Sequence, residues 1–129
     1  MCIRDSIETA PFPGFPTDLQ APFTALMTIA NGESKITETI FENRMNHIYL
    51  LNEMGARIKL NKNVAHIKGV KTIKGMNLVG SDLRSSAALI IAGIIAKGSS
   101  KIYGLEHLDR GYENLENKLK KCKAQIYRI

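Results

Sequence analysis

The chain has 129 residues, of which 44% are hydrophobic and 23% are charged, and its formal net charge at pH 7 is +6. This composition is ordinary for a soluble globular protein, and the length suffices for one buried core. The longest apolar run, residues 87–96, has about half of the ~20 residues that a membrane span needs, so we expect no membrane partner. The lysines lack the interleaved aromatic residues of a nucleic-acid-binding surface, so we expect no nucleic acid either.

The two cysteines, Cys2 and Cys122, lie near opposite ends of the chain and form neither a metal-binding nor a disulfide spacing. They favour a reducing compartment, and we expect a cytoplasmic location. Residues 1–6 have no apolar core and no cleavage site of a secretory signal. They resemble a translated adaptor, so we expect a non-native leader and leave them out of the fold prediction.

Residues 7–75 are predicted to form one βαβαββ unit, because segments of alternating residues flank two segments with helical spacing of apolar residues. In chain order, the predicted elements are a lead-in strand before Pro11, a helix over 18–31, a strand over 35–40, a helix over 44–54 and a hairpin of strands 56–60 and 64–68. Thr17 and Gln20 have the spacing of a capping box. Pro22 removes an N–H, so we expect it to bend the first turn or delay the helix start.

Residues 76–129 are predicted to form a second, shorter unit of the same domain. Its predicted elements are a strand over 76–79, a helix over 82–96, a strand over 101–105, a helix over 110–121 and a last strand over 124–129. The fold class is therefore α/β, with two βαβαββ units of which the second lacks its last strand. The helix is apolar on all sides from residue 87 to 96, so it must be covered all round, and Gly93 permits close packing against a neighbour.

The second half of the chain repeats the first, including charged residues that a structural repeat alone does not need. The matched pairs are Asp18 with Asp82, Gly32 with Gly98, and Arg44 with Arg110. A repeated supersecondary unit predicts a fold in which neighbouring units share one core. The repeated Asp and Arg predict a site.

Asp18 ends a stiff loop with two prolines and enters a predicted helix. One interpretation is a cap or a partner of the helix dipole. The other is a general base or a hydroxyl-binding group, because a rigid loop fixes the carboxylate where a substrate O–H can reach it. Asp82 repeats the arrangement, with Arg84 two residues later.

Arg44 and Arg110 both follow a predicted strand and begin a predicted helix, where a cation opposes the helix dipole. A guanidinium beside free N–H groups is a good receptor for phosphate or carboxylate. The alternative is a surface arginine paired with Glu42 or Asp109. Together with Arg84, these residues predict an anionic ligand that carries a hydroxyl.

The three histidines, His47, His66 and His107, show no metal-ligand spacing. We interpret them as surface or packing residues. No dinucleotide or Walker-type loop is present in the sequence. We therefore expect no metal and no cofactor.

Four segments resemble, in order, motifs of the UDP-N-acetylglucosamine enolpyruvyl transferases of peptidoglycan synthesis. The segments are PGFPTDLQA (13–21), ITETIFENR (36–44), SDLRSSA (81–87) and residues 102–113, which contain DRGYE. The resemblance extends over residues 9–129 and implies two inside-out α/β barrel domains, each of three βαβαββ units around buried helices. It implies that the chain corresponds to the last two units, and that its partner is the missing N-terminal part of the same enzyme.

The resemblance also implies the chemistry. Phosphoenolpyruvate and UDP-N-acetylglucosamine are the implied substrates, the sugar 3-hydroxyl adds to the enol ether carbon, and phosphate leaves from a tetrahedral intermediate. This is the first committed step of peptidoglycan synthesis, which supports cell shape and division.

Individual roles follow from the same resemblance. Asp18 is implied to bind and deprotonate the sugar hydroxyl, while Arg84 and Arg110 bind the phosphoenolpyruvate anion. The remaining implied substrate-binding residues are Ile40 and Phe41 at the nucleotide sugar, Arg44 as a cleft arginine, and Asp82, which holds neighbouring groups.

The chain departs from the family pattern in two respects. The family's general acid, a cysteine or aspartate, lies on the other domain, so we expect the isolated chain to be inactive. Cys122 and Lys123 stand where the family usually has Leu-Gly. Two alternatives stay open: a fragment of a shikimate-pathway enolpyruvyl transferase, which is not expected to carry residues 41–44 as they stand, and a stand-alone anion-binding module.

Overall fold

The computed structural model describes residues 5–129 as two small sheets packed against a shared set of helices. Within that range the elements are β1 (Asp5–Glu8), a 3₁₀ turn (Thr17–Leu19), α1 (Gln20–Met27), β2 (Glu33–Thr37), α2 (His47–Glu53), β3 (Arg57–Asn61), β4 (Val64–Lys68), β5 (Asn77–Val79), α3 (Leu83–Ile95), β6 (Lys101–Tyr103), α4 (Leu105–Asp109) and α5 (Leu115–Lys121).

The first unit is a βαβαββ unit, as predicted. Its strands form one sheet in the order β1-β2-β4-β3, with β1 parallel to β2 and with β4 antiparallel to both of its neighbours. Burial alternates along β2 and β4, because successive side chains of a strand point to opposite faces. One face of this sheet therefore packs on the helices, and the other is exposed.

The two units share one hydrophobic core. Ile36 and Ile67 from the first sheet lie in the same buried cluster as Leu78 of β5 and Leu89 of α3. Helices α1 and α3 pack directly on each other within this core. The repeat thus predicts the arrangement correctly, since neither unit covers its apolar face alone.

Helix α1 is shorter than the predicted helix over 18–31. The capping box is wrong: the Thr17 hydroxyl donates to Glu38 rather than to an N–H of the helix, and the segment before Gln20 is a 3₁₀ turn. Pro22 lies in the first turn of α1, where its missing N–H is not needed for a helical bond, in agreement with the expected delay. At the other end, the N–H and the hydroxyl of Thr28 both donate hydrogen bonds to the Ala25 carbonyl, and the helix ends at this point.

Helix α2 begins at His47, not at residue 44 as predicted. Arg44 therefore lies in the loop before the helix. The repeat itself is visible in the backbone: Gly32 and Gly98, which the repeat pairs, both have positive φ, at 107° and 95°. Each precedes the second strand of its unit and adopts a conformation that favours glycine.

In the second unit, α3 follows the prediction closely. Asp82 caps it, and it ends at Ile95 before the extended Ala96. Gly93 packs on the segment that leads into β6, since a Cβ there would lie 3.3 Å from the Ser100 Cβ. Most of the apolar helix is buried, but Ile94 is 38% exposed, so the described chain leaves part of one flank open.

The C-terminal part differs from the prediction in two ways. The helix predicted over 110–121 ends at the predicted residue, but its start is wrong, because α4 ends at Asp109 and α5 starts only at Leu115. The last strand over 124–129 is also wrong: no ladder involves these residues within the part of the chain that the structure describes. Instead Ile126 packs on the smaller core cluster and Arg128 forms ion pairs with Asp109 and Glu116.

The N-terminal segment that we set aside takes part in the sheet. Ser6 pairs with Lys35 in the β1–β2 ladder, while residues 1–4 lie outside the described residues. The non-native origin of residues 1–6 stays a prediction. Among residues 5–129, no helix is long and apolar enough to cross a membrane.

Candidate active site

The Asp18 carboxylate lies at the end of the two-proline loop, in the 3₁₀ turn that precedes α1. Its side chain is 65% exposed and caps no helix, so the capping interpretation fails for this residue. Because the loop and the turn are short and carry Pro13 and Pro16, they hold the carboxylate at a fixed place.

Two arginines from different elements converge on Asp18. Arg84, in the first turn of α3, approaches Asp18 Oδ1 with Nε at 2.7 Å and Nη2 at 2.5 Å. Arg44, from the loop before α2, places Nη1 at 3.8 Å from the same oxygen. The structure thus brings together three residues that the sequence predicted separately, from both units of the repeat.

Arg44 is held by its surroundings. Its guanidinium carbon lies 3.4 Å from the centre of the Phe41 ring, and Nη1 is 3.4 Å from the Thr17 hydroxyl. Partial burial and the nearby Arg84 lower the pKa of Arg44 from its ordinary value, against the opposing effect of Asp18. Such a guanidinium remains protonated and presents its remaining donors to an anion.

A buried glutamate that sequence reasoning missed organises the loop next to Arg44. The Glu38 carboxylate is buried and accepts hydrogen bonds from the hydroxyls of Thr9 and Thr17, at 3.0 and 2.9 Å. It also accepts the backbone N–H groups of Ile40 and Phe41, at 3.1 and 3.3 Å. Glu38 therefore fixes the two residues predicted to contact the nucleotide sugar, and both of their side chains are exposed.

Asp82 caps α3, so the cap interpretation that the sequence left open is correct for this residue. Its carboxylate accepts the N–H groups of Arg84 and Ser85 and the hydroxyls of Ser81 and Ser85. Partial burial raises the pKa of Asp82, whereas these hydrogen bonds lower it. Together the hydrogen bonds have the larger effect, so the pKa lies below its ordinary value. Asp82 is thus an anion that orients the first turn of α3, and with it Arg84.

A polar cavity of about 250 Å³ lies between these elements. Its lining includes Arg44, Arg84, Asp82, Ser85, Gln20 and His47. His47 is 1% exposed, and its Nε2 has no hydrogen-bond partner within the described residues. Of the two interpretations, surface residue or packing residue, the second is correct for His47. The residue also lines the candidate site.

Arg110 is the predicted site residue that the structure does not bring into contact with the others. It caps the C-terminus of α4, where a cation suits the helix dipole, so its predicted place at a helix start is wrong. Its side chain is exposed and makes no hydrogen bond or ion pair with any residue of 6–129. The neighbouring Gly111 nevertheless packs closely on Leu83, since a Cβ there would lie 2.7 Å from Leu83 Cδ2. The Arg110 backbone is therefore adjacent to the start of α3.

The other carboxylates that were considered as partners do not pair with the site arginines. Asp109 pairs with Arg128 at 2.8 Å rather than with Arg110. Arg44 contacts Asp18 rather than Glu42. The alternative that Arg44 and Arg110 are surface arginines paired with Glu42 or Asp109 is therefore wrong.

The arrangement can bind an anion and handle a proton. A carboxylate accepts hydrogen bonds from a hydroxyl, and the two adjacent guanidinium groups offer planar donors to a carboxylate or phosphate. No cluster of metal-binding side chains occurs among the residues that the structure describes.

Residues 2–119 match the model of a family described as EPSP synthase (3-phosphoshikimate 1-carboxyvinyltransferase). The chain is 89% identical over 122 residues to a UDP-N-acetylglucosamine 1-carboxyvinyltransferase from Prochlorococcus marinus (strain AS9601). It is 54% identical over 123 residues to a protein of the same name from Synechocystis sp.. These alignments cover 95% of this chain in both cases, but the chain spans only 27% and 28% of the relatives' own length.

The fold also matches a solved structure. The crystal structure of the enolpyruvyl transferase NikO from Streptomyces tendae matches with a TM-score of 0.82 and 30% identity. The match covers 96% of this chain and 29% of that one. This likeness confirms the predicted α/β fold, and the relatives confirm the resemblance that the four motifs indicated.

Proposed function

The chain belongs to the family of EPSP synthase (3-phosphoshikimate 1-carboxyvinyltransferase), and on that premise we propose that it supplies part of the active site of an enolpyruvyl transferase. The proposed substrates are phosphoenolpyruvate and UDP-N-acetylglucosamine, in agreement with the names of the relatives. A place in peptidoglycan synthesis and a cytoplasmic location belong to the same proposal. Because the chain spans 27% of such a relative, the remaining site residues come from the rest of a longer enzyme.

The observation that carries the proposal is the Asp18 carboxylate between Arg84 and Arg44. Asp18 is exposed, and it comes from a stiff loop, so it can meet a substrate hydroxyl without a large rearrangement. In the proposed reaction, Asp18 accepts the proton of the sugar 3-hydroxyl as its oxygen bonds to C2 of phosphoenolpyruvate. A group outside this chain protonates C3, and phosphate later leaves as C3 loses a proton.

Arg84 is proposed to exchange partners during binding. Without substrate its guanidinium is occupied by Asp18, through two contacts of 2.7 and 2.5 Å. An arriving carboxylate or phosphate competes for these donors, and the exchange leaves a carboxylate oxygen of Asp18 available to the hydroxyl. The cap formed by Asp82 keeps the backbone beneath Arg84 in place while the side chain moves.

Ile40, Phe41 and Arg110 complete the proposed set. Glu38 fixes the backbone of Ile40 and Phe41, and their exposed side chains form the proposed wall for the nucleotide sugar. Arg110 is exposed beside the start of α3, and we assign it to the phosphoenolpyruvate anion after a movement of its side chain. A charge of this kind, aimed at the developing phosphate, stabilises the transition state.

The test is a chimera in which this chain replaces the aligned segment of the Synechocystis relative, with release of phosphate as the assay. We expect Asp18→Asn to lower kcat by roughly 10²–10⁴-fold, because the amide cannot accept the proton. Glu53→Gln removes one exposed carboxylate from α2 and serves as the matched control, with unchanged kcat. An unchanged kcat for Asp18→Asn would contradict the proposed role as proton acceptor and leave Asp18 only as an ion-pair partner of Arg84.

The shikimate-type reaction is the second candidate, because the family description names 3-phosphoshikimate 1-carboxyvinyltransferase. The same chimera separates the two. We expect phosphate release with UDP-N-acetylglucosamine as the acceptor and none with 3-phosphoshikimate. The reverse preference would support the second candidate.

A further inference from the structure

The exposed face of the four-stranded sheet carries a group of basic side chains, none of which belongs to the Asp18 site. Four cations and a histidine point to this face from three strands: Lys35 on β2, Arg57 and Lys59 on β3, and His66 and Lys68 on β4. We call this set the basic sheet face. The opposite face is the one that packs into the core, through Ile36, Ile58 and Ile67.

The strand register places these side chains next to one another. Lys68 lies directly opposite Arg57, and His66 lies between Lys35 and Lys59. Like charges directly opposite each other across strands are destabilising. Sheet stability therefore does not explain the choice of these residues.

Within the described chain, three of the four cations have no acidic residue opposite them across the strands, and the fourth, Lys68, lies opposite Glu33. None of the four cations forms an ion pair within 4.0 Å with any residue among 6–129. Over this face lies a cavity of about 930 Å³, and Glu33, opposite Lys68, is the one acidic residue among positions 6–129 that lines it. Covering this surface with a neutral or basic partner would bury unpaired charge at a high cost. Whatever binds there must carry negative charge.

The geometry of β3 narrows the class of partner. Among the described residues β3 is an edge strand of the sheet, with β4 on one side and no strand on the other. Its two cations, Arg57 and Lys59, are two residues apart, which corresponds to about 7 Å along a strand. An extended segment with an acidic residue at every second position has the same spacing, and its backbone can pair with the free edge.

Two other polyanions fit the surface less well. Nucleic-acid binding without sequence preference uses aromatic side chains as stacking platforms, and none of the described Phe and Tyr residues lines this surface. Phosphate groups are commonly bound at the N-termini of helices, and no helix N-terminus in the described part of the chain contributes to the lining. The observations therefore favour an acidic protein segment.

We propose that the basic sheet face and the free edge of β3 bind an extended, acidic segment of a partner protein. The backbone of the segment adds a strand to β3. Its acidic side chains lie over Arg57, Lys59 and Lys68. This interaction is independent of the proposed transfer reaction, because none of its residues belongs to the Asp18 site.

The test uses the chimera with the Synechocystis relative and a fluorescein-labelled decapeptide in which Glu alternates with Thr, with binding followed by fluorescence anisotropy. We expect the double variant Lys59→Gln/Lys68→Gln to weaken binding by about tenfold at low salt, because two direct charge pairs are lost. The matched control is Lys118→Gln/Lys121→Gln, which removes the same charge from exposed positions on α5. We expect less than about a twofold change there. Circular dichroism checks that both variants are folded.

Amide hydrogen exchange gives an independent readout of the added strand. We expect the peptide to slow exchange at Arg57–Asn61, and a peptide of the same composition with its Glu and Thr in separate blocks to bind more weakly. Equal losses in both double variants would overturn the proposal, because they indicate attraction to net charge alone. Displacement of the labelled peptide by inorganic triphosphate or by a single-stranded DNA oligonucleotide, as effectively as by unlabelled peptide, would also overturn it.

Discussion

His47 combines almost complete burial with a position on the wall of the candidate active site. The imidazole is 1% exposed, and burial lowers its pKa from 6.5 to about 4, against a weaker opposing effect of Asp82. It is therefore neutral at physiological pH. A neutral imidazole in the wall of the cavity that Arg44 and Arg84 also line adds no third positive charge to it.

The lowered pKa predicts how stability depends on pH. Because the folded-state pKa lies below the unfolded value, the unfolded chain takes up the proton first as the pH falls. The contribution of His47 is complete above pH 6.5 and is lost toward about pH 4, at about 1.4 kcal/mol per pH unit. Urea unfolding of the wild type and of His47→Gln between about pH 7 and about pH 5 measures this. The prediction fails if the free energy of unfolding has the same pH dependence in both proteins.

At the scale of single residues, the sequence predicts the charged groups of the site better than their connections. Asp18 and Arg44 are identifiable because repeated charges at the ends of elements are not needed for folding. Arg84 is identifiable because it follows the repeated Asp82 by two residues. Glu38 is not identifiable, since its four hydrogen bonds come from three separate segments of chain. Arg110 is identified by its motif, but its distance from the other residues depends on how α4 packs.

The C-terminus of α5 contains a backbone conformation that its residue does not favour. Lys123 has φ 67°, in the left-handed region where helices usually end on glycine. For a lysine, this conformation is less favourable than the right-handed one by about 1–2 kcal/mol.

We therefore expect Lys123→Gly to stabilise the chain. The gain should be about 0.5–1 kcal/mol, since the greater freedom of glycine in the unfolded chain offsets part of the relieved strain. Thermal unfolding followed by circular dichroism measures the change. In contrast, Lys118→Gly inside α5 should cost about 1 kcal/mol. A destabilised Lys123→Gly protein would contradict the explanation.

Among the elements, the sequence predicts best those that carry their own signals. Helix α3 has an aspartate cap and a long apolar pattern, and its predicted bounds are within one residue of the structure. The segment over 124–129 alternates in the same way as a strand, but a strand also needs a neighbour with unpaired backbone groups. Its side chains find other partners, among them the ion pairs of Arg128. Local pattern contains no information about such partners.

At the scale of the whole molecule, the second sheet leaves apolar side chains uncovered. It has two strands, and the directly paired Val79 and Tyr103 are 62% and 51% exposed. Unpaired strand edges beside exposed apolar side chains promote association between chains.

We expect the isolated chain to self-associate at micromolar concentration in spite of its net charge of +6. Sedimentation velocity measures this, and Val79→Lys should reduce the association because it places a charge at the exposed edge. Tyr127→Ser, which changes another exposed aromatic residue outside the sheet, is the control and should have little effect. A wild-type chain that stays monomeric over a wide concentration range would show that the exposed second sheet does not cause association.

We propose that this chain supplies the Asp18 part of an enolpyruvyl transferase site and needs the rest of the enzyme for activity. The most direct measurement is phosphate release from phosphoenolpyruvate and UDP-N-acetylglucosamine, by the isolated chain and by the chimera with the Synechocystis relative, side by side. Residues that act as a unit are grossly non-additive, so we predict turnover by the chimera and only background release by the isolated chain. Turnover by the isolated chain, or a folded chimera without activity beside an active parent enzyme, would contradict the claim.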